Sequence, residues 1–362
     1  MRIAMIGSRG LPAGVGGVER VVEHLTRGLT ARGHEVLVYG RRHYVGDRRP
    51  AEGRLILTPG LPGTSLDTIT HSATASLDAL LRRVDVVHVH SPGPALWSWL
   101  PAMRHPVVFT VHAPDWRREK WSRTAQTALR IGLKVGSRCA RAITAVSPSL
   151  AADLESRLGK PVVCIPNAAP DVTPQSAEAI LALGLQPGRF ALHVGRITPE
   201  KRLLVLIEAW AKANLDWPLV VAAEEDVAAY AKRCRAIAPA NVRFVGPKFG
   251  RELAGLYSHA AMIIQPSVLE GASLVVLEAA SYGRCCILAD IPANRDLLGD
   301  NAAYVQPDDS AALAEQILRY KNEKGPRESL GESARRHVRE HFDGDGVVSR
   351  YIMLYERIGS AG

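Results

Sequence analysis

QPSVLEGASLVVLEAASYG, residues 265–283, runs from the end of a strand through a loop into a helix. The apolar run Ala260–Ile264 before it has the character of a buried parallel strand, and Pro266-Ser267 stops it. Ser273 is placed to cap the helix that follows, Leu274 to Tyr282 contains no breaker, and Gly283 suits the left-handed position just past the end. Glu278 therefore falls inside a helix among Val275, Val276, Leu277, Ala279 and Ala280, where an ionised carboxylate is costly unless it is hydrogen-bonded. Glu270 falls just before the helix, near amides that suit an anion. The two carboxylates frame the carboxyl end of a parallel strand, where open α/β sheets bind ligands.

Working outward, the same grammar recurs along the chain. Strands are expected at Arg2–Ile6, Glu35–Tyr39, Arg54–Leu57, Asp85–Val89, Pro106–Val111, Ala142–Val146 and Val162–Ile165. A second set is expected at Phe190–Val194, Leu219–Ala222, Val242–Val245, Ala260–Gln265, Cys285–Ala289 and Ala303–Val305. Strands alternating with helical stretches make βαβ units, so the fold class is α/β with two Rossmann-like parallel sheets. The proline-bearing stretch after Pro166-Asn167 divides them into an N-terminal domain, 1–168, and a C-terminal domain, 169–345. An amphipathic stretch over 346–362 is expected to pack back on the first domain.

Composition bounds the function. With 362 residues, 47% hydrophobic and 22% charged, the chain has the make-up of an ordinary globular protein large enough for two cores. No stretch approaches the ~20 apolar residues of a membrane span, and the chain opens on a strand instead of a signal peptide, so a cytoplasmic location is expected. Five scattered cysteines without C-x-x-C spacing suggest neither zinc nor a disulfide framework. The net charge of +9 is uneven: residues 1–168 carry 23 Lys+Arg against 12 Asp+Glu, and the remainder 22 against 24. A basic first half suits an anionic partner, either a membrane surface or a phosphate-bearing acceptor.

The first strand opens into Gly7–Gly17, a glycine loop leading to a helix near Val18. Its spacing is neither the dinucleotide fingerprint nor a P-loop, which disfavours a dehydrogenase. Gly16-Gly17 fit a tight turn or a close approach to a ligand equally well. His112 follows the strand PVVFTV at its carboxyl end, whereas His88 and His90, an H-x-H pair, read as structural because two ligands do not make a zinc site. Arg196 and Lys201 in GRITPEK lie in a strand-to-helix loop, where cations can neutralise a diphosphate.

The E-x7-E spacing of Glu270 and Glu278, together with GSRGLPAGVGGVERVVEHL, VHAPDWRREKW, GRITPEK and DIPAN, resembles retaining glycosyltransferases of family 4 over nearly the whole chain. The resemblance extends to a subgroup of polysaccharide-assembly enzymes with an R-G-I/L-P opening. It implies two Rossmann-like domains facing a cleft and metal-independent hexosyl transfer from a nucleoside-diphosphate sugar, which is a co-substrate; no cofactor is implied. Glu270 would hold the donor sugar, Glu278 the ribose, and Gly271, Ala272, Ser273 and Leu274 would face the diphosphate that Arg196 and Lys201 clamp. Val245 would lie by the base, Gly16 and Gly17 near the phosphates, and His112 on the transferred sugar, with Asn294 also reaching it. Arg9 and Asp115 would lie on the acceptor side. The chain departs from the family at Ala168 in the usual Pro-Asn-Gly, at Arg202 where glycine is usual, and at Ala223–Asp226 in place of a glycine loop. Two alternatives share the fold: a nucleotide-sugar epimerase, and a nucleotide-sugar-binding regulator that has lost catalysis.

Trp116–Arg141 is the most basic segment and suits an anionic membrane surface, hence a peripheral location. At ~100° per residue its charge spreads around the axis, which suits a solvated helix equally. No nucleic-acid-binding motif accompanies it. Asp343-Gly-Asp345 is the one D-x-D pair in the chain and reads as a helix cap.

Overall fold

The computed structural model describes residues 1–14, 16–61 and 64–359, with the side chains of Thr64 and Ser65 left aside. Val15 of the glycine loop and positions 360–362 of the expected terminal helix lie outside the described residues. The chain divides into two compact units, Met1–Ala168 with Gly344–Gly362, and Ala169–Asp343.

In the first unit, seven parallel strands are found among the described residues: β1 (Arg2–Ile6), β2 (Glu35–Gly40), β3 (Arg54–Leu57), β4 (Val86–His90), β5 (Val107–Val111), β6 (Ala142–Ala145) and β7 (Val163–Cys164). Their order is β3-β2-β1-β4-β5-β6-β7, so it reverses between β1 and β4. Val86, Val87, Val89, Val107 and Val108 are almost wholly buried, as expected where helices cover both faces of a parallel sheet. Two helices matter for the site: α1 (Gly17–Ala31) follows β1, and α2 (Arg123–Cys139) precedes β6.

The terminal helix, Gly344–Gly359, belongs to this unit. Val347, Val348, Tyr351, Leu354, Tyr355 and Ile358 join Ile3, Met5, Leu25 and Leu29 in one core, each large side chain contributing roughly 1.5–3 kcal/mol by burial. A Cβ on Gly28 of α1 would stand 2.5 Å from a Val348 methyl, so the two helices meet backbone to side chain. Asp345 lies in the first turn of the terminal helix and pairs with Arg32 of α1 at 2.8 Å.

The second unit has six parallel strands among the described residues: β8 (Ala191–Arg196), β9 (Leu219–Glu224), β10 (Val242–Phe244), β11 (Met262–Gln265), β12 (Cys285–Ala289) and β13 (Ala303–Val305). The order β10-β9-β8-β11-β12-β13 reverses between β8 and β11. In open α/β sheets such a reversal makes a crevice at the carboxyl ends of the two strands, because the crossovers leave in opposite directions. Helices α3 (Leu203–Ala213) and α4 (Leu274–Ser281) begin there. No helix among the described residues is long and apolar enough to cross a membrane.

Candidate functional site

Each unit carries its own set of candidate residues, and both sets sit at sheet ends where the strand order reverses. In the second unit, β8 ends in Gly195-Arg196 and continues into a 3-10 turn, Pro199–Lys201. The chain then turns through Arg202, whose φ of 54° is left-handed. That backbone explains why glycine suits the position; Arg202 holds it with Nε 2.8 Å from Asp308 and Nη1 donating to Pro199 O.

Across the reversal, β11 leads to the loop before α4. The two loops are tied twice: Val268 N donates to Glu200 O at 3.0 Å, and Lys201 Nζ donates to Glu270 Oε1 at 2.5 Å. Both side chains of the ion pair are largely enclosed, at 13% and 11% exposure, so the attraction is less screened than on an open surface. Arg196 is half-exposed and its Nη1 reaches Asp226 at 3.2 Å. Asp226 belongs to the segment that replaces the usual glycine loop, so the substitution supplies a carboxylate partner to a residue expected to face phosphate.

Beneath the pair, His193 is fully buried and donates Nδ1–H to Ile264 O at 3.0 Å. Burial lowers its pKa to about 4, leaving a neutral ring.

Glu278 lies in the interior of α4, 9% exposed, and accepts a hydrogen bond from the Tyr257 hydroxyl at 2.9 Å. This hydroxyl supplies compensation that the sequence demanded without naming its source. Tyr257 itself stacks on Tyr282 with ring centroids 5.5 Å apart. The expected capping by Ser273 is corrected: Ser273 is the residue before α4, but its side chain makes no cap hydrogen bond. Its φ and ψ are extended, and the amides of the first turn are left without that oxygen. Gly271, Ala272 and Ser273 are buried and Leu274 half-buried in this turn. Val245 extends β10, donating its N–H to Val221 O at 3.0 Å, before Gly246 turns at φ 70°. Asn294 is 1% exposed and gives its amide to Ala289 O at 2.8 Å, so that group holds the turn after β12.

In the first unit, Arg9 and Glu19 form an ion pair that sequence reasoning passed over. Glu19 is 5% exposed and accepts from both the Arg9 backbone N–H at 2.9 Å and Arg9 Nε at 3.2 Å. Arg9 also lies 4.8 Å from the Tyr44 ring centre. A Cβ on Gly16, whose φ is 132°, would fall 1.9 Å from the Glu19 carboxylate. The left-handed backbone favours glycine at that position, and the ion pair fills the space a side chain would take; Gly17 begins α1 and is exposed. An acidic residue in the first turn after a glycine pair was the available signal.

His112 follows β5, half-buried, with its pKa lowered to about 4 by burial against a smaller opposing pull from Asp115 and Glu19. Asp115 opens a short 3-10 turn and accepts from Arg118 Nε at 2.6 Å. His90 is 0% exposed, as a structural reading expects, and its Nδ1 lies 3.0 Å from His112 Nε2, a contact that the sequence did not indicate. Parallel registry of β4 and β5 brings the two strand ends side by side, with His90 opposite Thr110. His88 is buried in the way expected, between the Tyr355 hydroxyl at 2.7 Å and Thr110 Oγ1 at 2.6 Å.

The charge on α2 is also distributed differently from the expectation. Arg123, Arg130, Lys134 and Arg138 are exposed, and their spacing confines them to about 80° of the helix circumference. Gly132 and Gly136 pack the opposite side so closely that a Cβ would meet Pro92 O at 2.0 Å and the Phe109 ring at 2.9 Å. Packing of that face turns the four basic residues of the helix to solvent. Ile131, 48% exposed, lies beside the stripe. Among the described residues, no cluster of His, Cys, Asp or Glu side chains forms a metal site.

Residues 15–171 match the family described as Glycosyltransferase Family 4, and residues 188–322 match Glycosyl transferases group 1. The chain is 23% identical to the O-antigen chain mannosyltransferase C of Escherichia coli, over 98% of each protein. Among solved structures it is similar to a sucrose-phosphate synthase from Thermosynechococcus elongatus, with a TM-score of 0.85, 22% identity and full coverage of both chains. It is also similar to Anabaena Alr3699/HepE in complex with UDP and glucose, with a TM-score of 0.82 and 18% identity over 99% of this chain and 100% of that one.

Proposed function

The chain belongs to glycosyltransferase family 4, and from that premise we propose that it moves a hexose-type sugar from a nucleoside diphosphate to a glycan or lipid-linked acceptor, with retention of configuration and without a metal. The observation that carries this reading is the meeting of Lys201 and Glu270 at the β8/β11 reversal, where a cation and a carboxylate stand together at the ligand-binding end of the sheet. The O-antigen mannosyltransferase among its relatives supports a place in surface polysaccharide assembly, and the UDP and glucose bound by a structural neighbour support a nucleotide-sugar donor.

In this reading Lys201 and Arg196, with the first amides of α4 at Gly271 to Leu274, stabilise the departing diphosphate, the part that a metal ion plays elsewhere. Glu270 holds sugar hydroxyls and Glu278 the ribose; Val245 lies by the base. Gly16 and Gly17 lie near the phosphates, His112 binds the transferred sugar, and Arg9 and Asp115 serve the acceptor. Leaving group and acceptor share one face of the sugar, and a diphosphate oxygen takes the acceptor's proton. The cationic stripe of α2 rests on an anionic membrane surface.

A thermal-shift screen with UDP, GDP, TDP, CDP and NAD on the wild type and on Glu278→Ala tests the donor half. One nucleoside diphosphate is expected to raise the wild-type midpoint by a few degrees, since ligand at ~100 times its Kd adds ~2.7 kcal/mol, and the variant is expected to lose the shift. A response to NAD alone would overturn the reading. Turnover of the donor with no acceptor present would replace transfer by epimerisation.

A further inference from the structure

One proton is shared between two imidazoles at the end of the first sheet, and the fold dictates which ring carries it. His90 Nδ1 and His112 Nε2 are 3.0 Å apart, so one nitrogen donates and the other accepts. Burial lowers the pKa of both rings, His112 to about 4 and His90 well below its ordinary value, so each is neutral at physiological pH with a single N–H.

The other nitrogen of His90 breaks the symmetry. His90 Nε2 is buried with no hydrogen-bond partner among the described residues. If His112 were the donor, His90 would accept at Nδ1 and carry its own proton on Nε2, leaving a buried N–H with nothing to receive it. If His90 is the donor, Nε2 is a bare lone pair instead. Orphaned buried N–H groups are rarer than under-satisfied acceptors, so the second arrangement is the favoured one. His112 then accepts at Nε2 and must carry its proton on Nδ1, which has no partner among the described residues.

His90 is itself held in place. Its ring packs on His88 with centroids 4.0 Å apart. His88 is pinned by Thr110 on β5 and by Tyr355 on the terminal helix, and Thr110 also meets Thr144 on β6 at 2.5 Å. This buried polar chain runs from the terminal helix to β5, the strand that His112 follows, and leaves His90 little freedom to turn.

We propose that His90 is a positioning residue that fixes His112 as the Nδ1–H tautomer, making it a neutral hydrogen-bond donor toward an acceptor oxygen of the bound sugar. This inference rests on the reading of His112 as a donor-sugar residue. It predicts that the ligand atom met by His112 is a hydroxyl or phosphate oxygen acting as acceptor, since the lone pair of Nε2 is already engaged.

The test is nitrogen-15 NMR of the full chain together with steady-state kinetics of sugar transfer. In the wild type, His112 is expected to show a protonated Nδ1 and a bare Nε2; a protonated Nε2 would overturn the proposal. His90→Asn, whose amide can supply a donor near the position of Nδ1, is expected to keep that signature and most of kcat/KM. His90→Leu is expected to lose the signature and roughly tenfold in kcat/KM, the worth of one oriented hydrogen bond, while nucleoside-diphosphate binding stays unchanged. Full activity in a folded His90→Leu would also overturn the proposal. Combining His90→Leu with His112→Ala should cost no more than His112→Ala alone. The His112 reading fails separately, by full activity of His112→Ala, and the NMR signature then still reports on the His90 contact.

Discussion

Lys201 Nζ donates to Glu270 Oε1 at 2.5 Å, joining the turn after β8 to the loop after β11. Each residue thus stands as the other's counterion, and neither is disposed as a solvated loop charge. In the proposed reading, a diphosphate beside Lys201 would compete with Glu270 for its N–H donors and free carboxylate lone pairs for sugar hydroxyls. Lys201→Ala is expected to lower kcat by about a hundredfold or more, ~2–4 kcal/mol of transition-state stabilisation, in a steady-state assay of sugar transfer. A Glu270→Gln variant, which keeps a hydrogen-bonding amide but lacks the charge, should lose less kcat than Glu270→Ala.

The Tyr257–Glu278 hydrogen bond gives a stability prediction separable from catalysis. Tyr257→Phe leaves a helix-buried carboxylate short of one donor, at a cost of about 1–3 kcal/mol in denaturant unfolding. If Glu278 holds the ribose as proposed, the same variant should retain its response to a nucleoside diphosphate, because the carboxylate remains.

Acid should destabilise the protein through its buried histidines. Burial lowers His71, His112 and His193 to about 4 and His88 to about 3. An unfolded chain protonates such groups near pH 6.5, so between about pH 6.5 and 4 the unfolded state binds more protons and stability falls as pH falls. Above pH 7 these groups contribute no slope. Differential scanning calorimetry from pH 7.5 to 4.5 should show a Tm that is level and then declines. His193→Asn, which keeps a donor for Ile264 O, should decline less steeply.

The exposed stripe Arg123, Arg130, Lys134 and Arg138 predicts binding to lipid vesicles that depends on anionic lipid. Co-sedimentation should succeed with phosphatidylglycerol-containing vesicles, weaken with salt, and fail with neutral ones. Arg130→Glu with Lys134→Glu should abolish it while leaving the thermal midpoint within about 1 °C, since both side chains face solvent and exposed charges contribute little to stability. Equal binding to neutral vesicles would remove the electrostatic account.

Gln265–Gly283 illustrates how much is legible in local order. A strand end, a loop, a helix and a terminating glycine follow from apolar runs and breakers acting over a few residues, and the same local terms mark thirteen strands and the paired carboxylates Glu270 and Glu278. What pairs with those residues is set by contacts between segments far apart in the chain. Asp226 comes to Arg196 and His90 to His112 because neighbouring parallel strands place their carboxyl ends side by side, and Tyr257 comes to Glu278 from the helix that precedes β11. The face of α2 that shows its arginines was decided in the same way, by Gly132 and Gly136 packing against Pro92 and Phe109. Periodicity and breaker residues are properties of neighbours along the chain, so the sequence by itself determined the elements and the residue types available for chemistry. Tertiary structure alone decided the partners, the contact of His90 with His112 and the engagement of Lys201, because burial and hydrogen bonding depend on distance in space.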